Sequence, residues 1–388
     1  MRRVPVFVWV VVLAFSLVWI SMGSLITPGA KKHDFLNLYT GAFLALDGKF
    51  AAMHDVDVQL QRERQFVPST DALVPFVRPS FYALLLAPLA LIPFAEAFWV
   101  WIALQSALLL ACWTWGFRRF GPNALVFAAF SLPGPLGIAS GQDCALLLAI
   151  FVVAFELTDR GRPVAGGALL ALMLIKFHLI LLWPVALLLQ RRWKMLAGFC
   201  AAGIAEACLS LALGGMEGAR TYVALLRNKN LDHLSPSKEL MISFQGLTGN
   251  LGIDSPIATA AIIFAIISIF VFAVYNAPLW KMFAVTAVAS LLVVPHVYGY
   301  DATLLLLPFL LTIFYSQLPA AKIAATLLCT PLPFGFALAG KPYAIVSSAS
   351  MLIFLVLLAC ERDRKLSPPS LSGFRVGSPQ HSQRKIRS

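Results

Sequence analysis

The chain has 388 residues, of which 60% are hydrophobic and only 12% charged, with a formal net charge of +12 and a mean hydropathy of +0.82. A soluble domain carries roughly 25% charged residues, and half that share cannot coat a globule of this size with water-compatible surface. Composition therefore excludes a cytosolic enzyme, a nucleic-acid-binding protein and a disordered chain, and leaves a polytopic membrane protein whose surplus Lys and Arg belong in cytoplasmic loops.

Met1-Arg2-Arg3 and an apolar run from Val4 to Ile26 open the chain. The run exceeds the roughly 7–15 residues of a signal-peptide core, so it reads as an uncleaved first span. Residues 27–78 form a first outer loop. In it Phe35, Leu38, Tyr39, Ala42, Phe43 and Leu46 recur at helical spacing, which predicts an amphipathic helix lying along the membrane interface. Further apolar segments follow near 79–93, 95–117, 122–139, 141–157, 163–175, 178–190 and 195–213. Residues 214–254 make a second outer loop with an amphipathic start, Tyr222 to Leu226. The last segments lie near 256–275, 278–294, 301–316, 320–338 and 342–360. Backbone groups inside lipid must bond within their own segment, so the spans are helices. The six cysteines sit in apolar runs without CxxC spacing and read as inert buried thiols.

Basic residues set the orientation. Arg2-Arg3 precede the first span, and the tail holds Arg362, Arg364, Lys365, Arg375, Arg384, Lys385 and Arg387. Both ends therefore belong in the cytoplasm, and the number of crossings is even. One of the thirteen apolar segments must fail to cross, and 79–93, with Pro88 and Pro93, is the best choice for a re-entrant piece. The expectation is an all-α bundle of about 12 transmembrane helices. Residues 1–360 form a single transmembrane domain, and 361–388 form a basic, disordered cytoplasmic tail.

Ionisable side chains near the bilayer are costly and mark functional sites. Under this topology several sets fall toward the outer side: Lys32-His33-Asp34, Arg78-Pro79, Gly141-Gln142-Asp143, Lys176-Phe177-His178 and the run from Pro295-His296 through Tyr298 and Tyr300 to Asp301. Each has a plainer explanation. Asp34 and Gln142-Asp143 could cap helices, Lys176 could snorkel to the interface, His296 could be a packing histidine, and Glu206 could pair within the bundle. Together, carboxylate, lysine, arginine and histidine at one level suggest an anionic ligand with a reacting hydroxyl. No phosphate loop, HExxH zinc motif or GxSxG nucleophile turn is present, and the six histidines show no metal-ligand spacing.

The order of these motifs resembles a known family. An Asp follows the first span, then come Gly48-Lys49-Phe50, the run Arg78-Pro79-Ser80-Phe81-Tyr82 leading to Pro88, Gly141-Gln142, Lys176 before a helix ending in Arg191-Arg192, and Pro295-His296 near a late span. The pattern is similar to the GT-C glycosyltransferases of family 87 (the DUF2029 type), which include bacterial polyprenyl-phosphate-mannose-dependent mannosyltransferases. Arg78-Pro79-Ser80 stands where many relatives have a Pro-Pro pair, and Lys176-Phe177-His178 replaces a Lys-Pro step. The resemblance implies a GT-C-type bundle in the bacterial inner membrane. It also implies inverting, metal-independent transfer of a hexose, mannose first, from a polyprenyl-phosphate donor to an envelope glycolipid or glycan. By position it makes Asp34 the base and His296 a second group at the reaction centre. Lys176, Arg78 and His178 would hold the phosphate, with Gln142, Asp143 and Asp301 as further substrate-binding residues. The expected partners are membrane lipids, donor and acceptor, with no nucleic acid and no cofactor. Two other readings compete: a secondary transporter or lipid flippase, which Glu206 would suit, and a catalytically silent partner in envelope polysaccharide assembly.

Overall fold

Proline sets where many of the helices begin. Pro122, Pro133, Pro163, Pro256, Pro319 and Pro331 each stand in the first turn of a helix, where the missing N–H is no loss and the fixed φ is already helical. The computed structural model describes residues 30–70, 73–228 and 238–361. The expected span 4–26, Arg2-Arg3, the tail after 361 and the 229–237 part of the second loop lie outside the described residues.

Among the described residues the elements are helices. In chain order they are α1 (Ala30–Leu46), α2 (Val56–Phe66), α3 (Ser80–Leu86, continuing as a 3₁₀ turn over Ala87–Leu91), α4 (Phe94–Phe120), α5 (Pro122–Phe130), α6 (Pro133–Ala139) and α7 (Cys144–Asp159). Next come α8 (Pro163–Ala171, continuing as a 3₁₀ stretch over Leu172–Ile180), α9 (Trp183–Leu189) and α10 (Trp193–Leu226). The C-terminal third holds α11 (Phe244–Leu251), α12 (Pro256–Val274), α13 (Leu279–Val293), a 3₁₀ turn (Asp301–Leu305) leading into α14 (Leu306–Tyr315), α15 (Pro319–Leu328), α16 (Pro331–Leu338) and α17 (Ile345–Cys360).

The centre of the bundle is α13, buried at every position from Trp280 to Val293. Its Phe283 meets Trp183 at 4.7 Å and Phe155 at 5.1 Å between ring centroids, both edge to face, a geometry favoured by the ring quadrupoles. The peripheral helices are apolar on the outside. On α12, Ile257, Phe264 and Phe272 are each more than 70% exposed, as expected of faces that meet lipid rather than water. The tightest helix pair is α8 against α10. A Cβ on Gly167 would stand 1.9 Å from the Met195 carbonyl oxygen, and one on Gly198 would stand 2.0 Å from that of Val164. Only glycine lets the two backbones approach so closely.

Among the described residues four helices are long and apolar enough to cross a membrane: Phe94–Phe120, Pro163–Ile180, Trp193–Leu226 and Pro256–Val274. Two bent pairs, α5 with α6 (52°) and α15 with α16 (54°), raise this to six if each is one span. The chain is thus a helical membrane protein, and its described residues hold four to six full-length candidates where the expectation places eleven of its twelve spans. Prolines cut several apolar runs into short helices, and others give up part of their length to the polar turns described below.

Two other expectations change. Helix α1 forms where its periodicity predicts it, but it does not lie on a surface. Leu36, Thr40 and Leu44, off the apolar stripe, are as fully buried as Phe35 and Ala42, because α3, the 3₁₀ turn after it and α2 all pack against the helix. The segment expected to end at 213 runs on as α10 to Leu226, bending at Gly215 (φ 61°), so the start of the expected second outer loop is helix.

Polar side chains collect at the two ends of the bundle. At one end Arg119 pairs with Asp159 at 2.6 Å and donates to the Tyr315 hydroxyl at 2.9 Å, while Lys281 donates to the Glu361 carbonyl at 2.8 Å. Helix α7 starts beside Asp143 and ends at Asp159 after 16 residues, a length of about 24 Å. Its start, the end of α13 and the break after α8 meet at the opposite end.

Candidate active site

At that opposite end lies a cavity of about 540 Å³ whose walls include Asp34, Arg78, Gln142, Lys176, His178, His296 and Asp301. These seven come from five stretches of chain: α1, the segment before α3, the turn before α7, the 3₁₀ stretch after α8 and the turn after α13.

Asp34 projects from the second turn of α1, so it is not the cap of that helix. The rotation of α1 is held by Phe35, whose ring lies 5.6 Å from that of Phe94 and 6.3 Å from that of Trp101, and by the Tyr39 hydroxyl donating to the Ile92 carbonyl at 2.7 Å. With Phe35 and Leu38 turned into the core, Asp34 and Asn37 are left on the cavity wall, three residues apart on one face.

Arg78 is presented by a clamp. Asp55 caps α2, accepting from the Asp57 and Val58 N–H groups at 2.9 and 3.0 Å. From the buried face of α2, Gln59 accepts from Phe76 N–H at 2.8 Å and donates to the Met53 carbonyl at 2.9 Å. One turn on, Glu63 accepts from Val74 N–H at 3.1 Å. The His54 Nε2–H donates to the carbonyl of Arg78 itself at 2.8 Å. The extended segment 74–78 is thereby pinned, and the buried guanidinium reaches Asp143 through Nε (3.3 Å) and Nη2 (3.2 Å), the forked pairing that arginine favours.

Gln142 and Asp143 follow a turn that Gly141 makes possible at φ +74°, a conformation costly for residues with a Cβ. The turn is closed by Gln142 N–H to the Gly137 carbonyl at 2.9 Å, and the Gly141 carbonyl accepts from Trp101 Nε1 at 3.0 Å. Asp143 occupies the N-cap position of α7 but makes no capping bond. Its carboxylate, fully buried behind the cavity wall, faces Arg78 and Lys176 instead.

Lys176 sits where the helical path breaks (φ −122°, ψ 63°). It does not snorkel: it is 3% exposed, and its Nζ bonds Gln142 Oε1 at 3.0 Å, Asp143 Oδ1 at 3.1 Å and Asp301 Oδ1 at 3.0 Å. All three ammonium protons are therefore engaged. The other Asp301 oxygen accepts from Tyr298 N–H at 3.1 Å, and the Tyr300 ring lies 5.5 Å from Nζ, within cation–π range. His296 is exposed to the cavity rather than packed in the core.

The electrostatics follow from this count. Arg78 and Lys176 balance Asp143 and Asp301, a closed set of two cations and two anions whose partners offset the cost of burial. Asp34 is the surplus carboxyl. Burial pushes it up from its ordinary value to about 6, against a hydrogen bond from Gln142 and the field of Lys176, which act the other way. Gln142 uses its oxygen to accept from Lys176, so the bond to Asp34 is donated by its amide nitrogen. A relay of fixed polarity runs Lys176 to Gln142 to Asp34.

The expected residues thus converge on one chamber, with Asp143 behind it. Glu206 does not join them and lines a separate cavity. Sequence reasoning passes over Asn37, whose i, i+3 relation to Asp34 was the available signal, and over His54, Gln59 and Glu63, which fall within the expected first outer loop. Among the described residues no group of three His, Cys, Asp or Glu side chains is placed to hold a metal ion.

The class defined by this fold and site is a helical membrane protein with a charge-lined chamber at one end of its bundle. Residues 76–295, more than half the chain, match the model of glycosyltransferase family 87. The chain belongs to that family and is a glycosyltransferase. No curated protein and no solved structure matches it. The matched stretch contains Arg78, Gln142, Asp143, Lys176 and His178, while Asp34 precedes it and His296 and Asp301 follow it.

Proposed function

We propose that the protein is an inverting hexosyltransferase, with mannose as the sugar, that takes its substrate from a polyprenyl-phosphate donor and delivers it to a hydroxyl of an envelope glycolipid or glycan. The observation that carries this reading is the meeting of a surplus carboxyl, Asp34, with Arg78, Lys176, His178 and His296 in one chamber. Its walls are mixed: Val74, Val77, Leu181, Leu225 and Val293 line it beside the charged groups. A polar floor with apolar sides suits an amphiphile that joins a phosphosugar to an isoprenoid chain.

In the reaction proposed, Asp34 as carboxylate takes the proton of the acceptor hydroxyl while that oxygen attacks the anomeric carbon from the face opposite the phosphate. The bond from the anomeric carbon to the phosphate oxygen breaks, and its electron pair leaves with the phosphate. The departing monoester gains one negative charge. Its second pKa is about 6, so it needs no strong acid to leave, only cations near the charge that develops. Arg78 and the two histidines face that charge directly, and Lys176 acts through its field and through Gln142. A general base supplies roughly 10²–10⁴-fold, and here the amide of Gln142 aims it. In this reading the transfer needs no metal. The chamber opens on the outer side of a bacterial inner membrane, and both termini lie in the cytoplasm with the Arg119–Asp159 end.

The test is an assay of the purified full-length protein with polyprenyl-phosphate mannose, polyprenyl-phosphate glucose and a panel of envelope acceptors. Product is expected from the mannosyl donor with an inverted anomeric centre. Transfer only from a nucleotide sugar would overturn the donor assignment.

A further inference from the structure

A second cavity, of about 410 Å³, lies between α10, the start of α3 and the 3₁₀ stretch after α8. Phe177 and Leu226 line both it and the charged chamber. Its walls are mostly apolar; Ser80, Ser210 and Tyr222 also line it, and two further polar side chains there, Glu206 and His54, carry atoms without partners.

Glu206 is only 8% exposed, and both of its carboxyl oxygens are buried without a hydrogen-bond partner. His54 is 3% exposed. Its Nε2–H is spent on the Arg78 carbonyl, and its Nδ1 is buried with no partner. Burial lowers the pKa of this imidazole, which keeps Nδ1 a lone-pair acceptor. Two buried acceptors on residues that line one cavity each carry a cost, since an unmade bond in such surroundings costs roughly 1–3 kcal/mol. A bare hydrocarbon chain could fill the space but would leave both acceptors unsatisfied.

We propose that this cavity binds a hydroxyl-bearing amphiphile, its O–H groups donating to Glu206 and His54 and its chain lying against Leu174, Phe177 and Leu211. The site is separate from the transfer chemistry and does not depend on the transferase reading. The exposed apolar flank of α10, with Ile204, Leu209 and Met216, gives such a ligand a route from the bilayer.

The test uses the full chain in lipid nanodiscs and dicyclohexylcarbodiimide, an apolar reagent that adds to carboxylic acids in membrane interiors. Peptide mass spectrometry should find the adduct on Glu206. 1,2-Tetradecanediol should lower its yield about fivefold more than tetradecane does at equal concentration, the margin that one net hydrogen bond supports. Direct binding of radiolabelled 1,2-tetradecanediol should weaken by a similar factor in Glu206→Leu, with tetradecane binding unchanged. Equal protection by alkane and diol, or no adduct on Glu206, would overturn the proposal. The labelling arm needs no variant to fold, and neither arm reads sugar transfer, so its failure is distinguishable from failure of the enzymatic assignment.

Discussion

Gln142 can offer Asp34 only a donor, because its oxygen is held by Lys176 at 3.0 Å. Such a bond favours the charged carboxylate, and it restrains a pKa that burial has already raised to about 6. As a base Asp34 works when deprotonated, so kcat/KM should fall tenfold per pH unit below about 6 and level off above it. In Gln142→Leu the donor is lost, the acid form gains, and this limb should move to higher pH. A pH–rate profile of the two proteins checks it, and an unmoved limb would remove Gln142 from the relay. At this scale much of the chamber was legible in the sequence. Lys176 and Asp301 stand in apolar surroundings where a charge is expensive, and that cost alone points to a partner. What the sequence does not show is the pairing. From the sequence Asp143 reads as a helix cap, and only the fold brings Arg78 and Lys176 against its carboxylate in place of the α7 N–H groups.

Helix α2 and its clamp govern Arg78 from outside the chamber. Glu63 is fully buried, with one oxygen bonded to Val74 N–H and the other without a partner, and burial raises its pKa from 4.5 to about 7. A carboxyl with a raised pKa is most compatible with the fold when protonated. Its favourable contribution is complete below about 4.5 and is lost as pH rises through 7. Limited proteolysis within residues 50–78 should therefore speed up between pH 5 and pH 8 in the natural protein and stay nearly level in Glu63→Gln. A pH-independent rate in both would show that the clamp does not depend on this acid. The polar i, i+4 pair Gln59 and Glu63 looks in sequence like a solvated helix face. Periodicity reports which residues share a face, not what covers it, and for the same reason α1 could be read as a helix but not as a buried one.

The pairing of α8 with α10 is a second element-scale test. Gly198 has no room for a side chain against the Val164 carbonyl, and overpacking costs about 1–3 kcal/mol or more. Gly198→Leu should push the two helices apart, lower the thermal midpoint by several degrees, and reduce activity through Lys176, which the 3₁₀ continuation of α8 carries. A fluorescence melt in detergent measures the first effect. An unchanged midpoint would mean that the contact adds little.

Across the whole molecule, function is divided by height. The Arg119–Asp159–Tyr315 and Lys281–Glu361 contacts hold one end, and the chamber occupies the other, with α7 and α13 running between them. Charge placement in the sequence anticipates this division, since Arg118-Arg119 and Asp159-Arg160 separate cleanly from Asp34, Gln142, Lys176 and His296. The number of crossings was less legible. Short helices broken by proline satisfy hydropathy without reaching membrane length, and α10 resumes beyond Gly215 where composition suggests a loop. The most direct measurement is sugar transfer from polyprenyl-phosphate mannose by purified natural protein and Asp34→Asn side by side, with equal folding shown by their thermal midpoints. The variant should lose at least about 10²-fold in kcat, the range of a missing general base, while donor binding persists. Transfer at a near-natural rate by Asp34→Asn would contradict the placement of the reaction in this chamber.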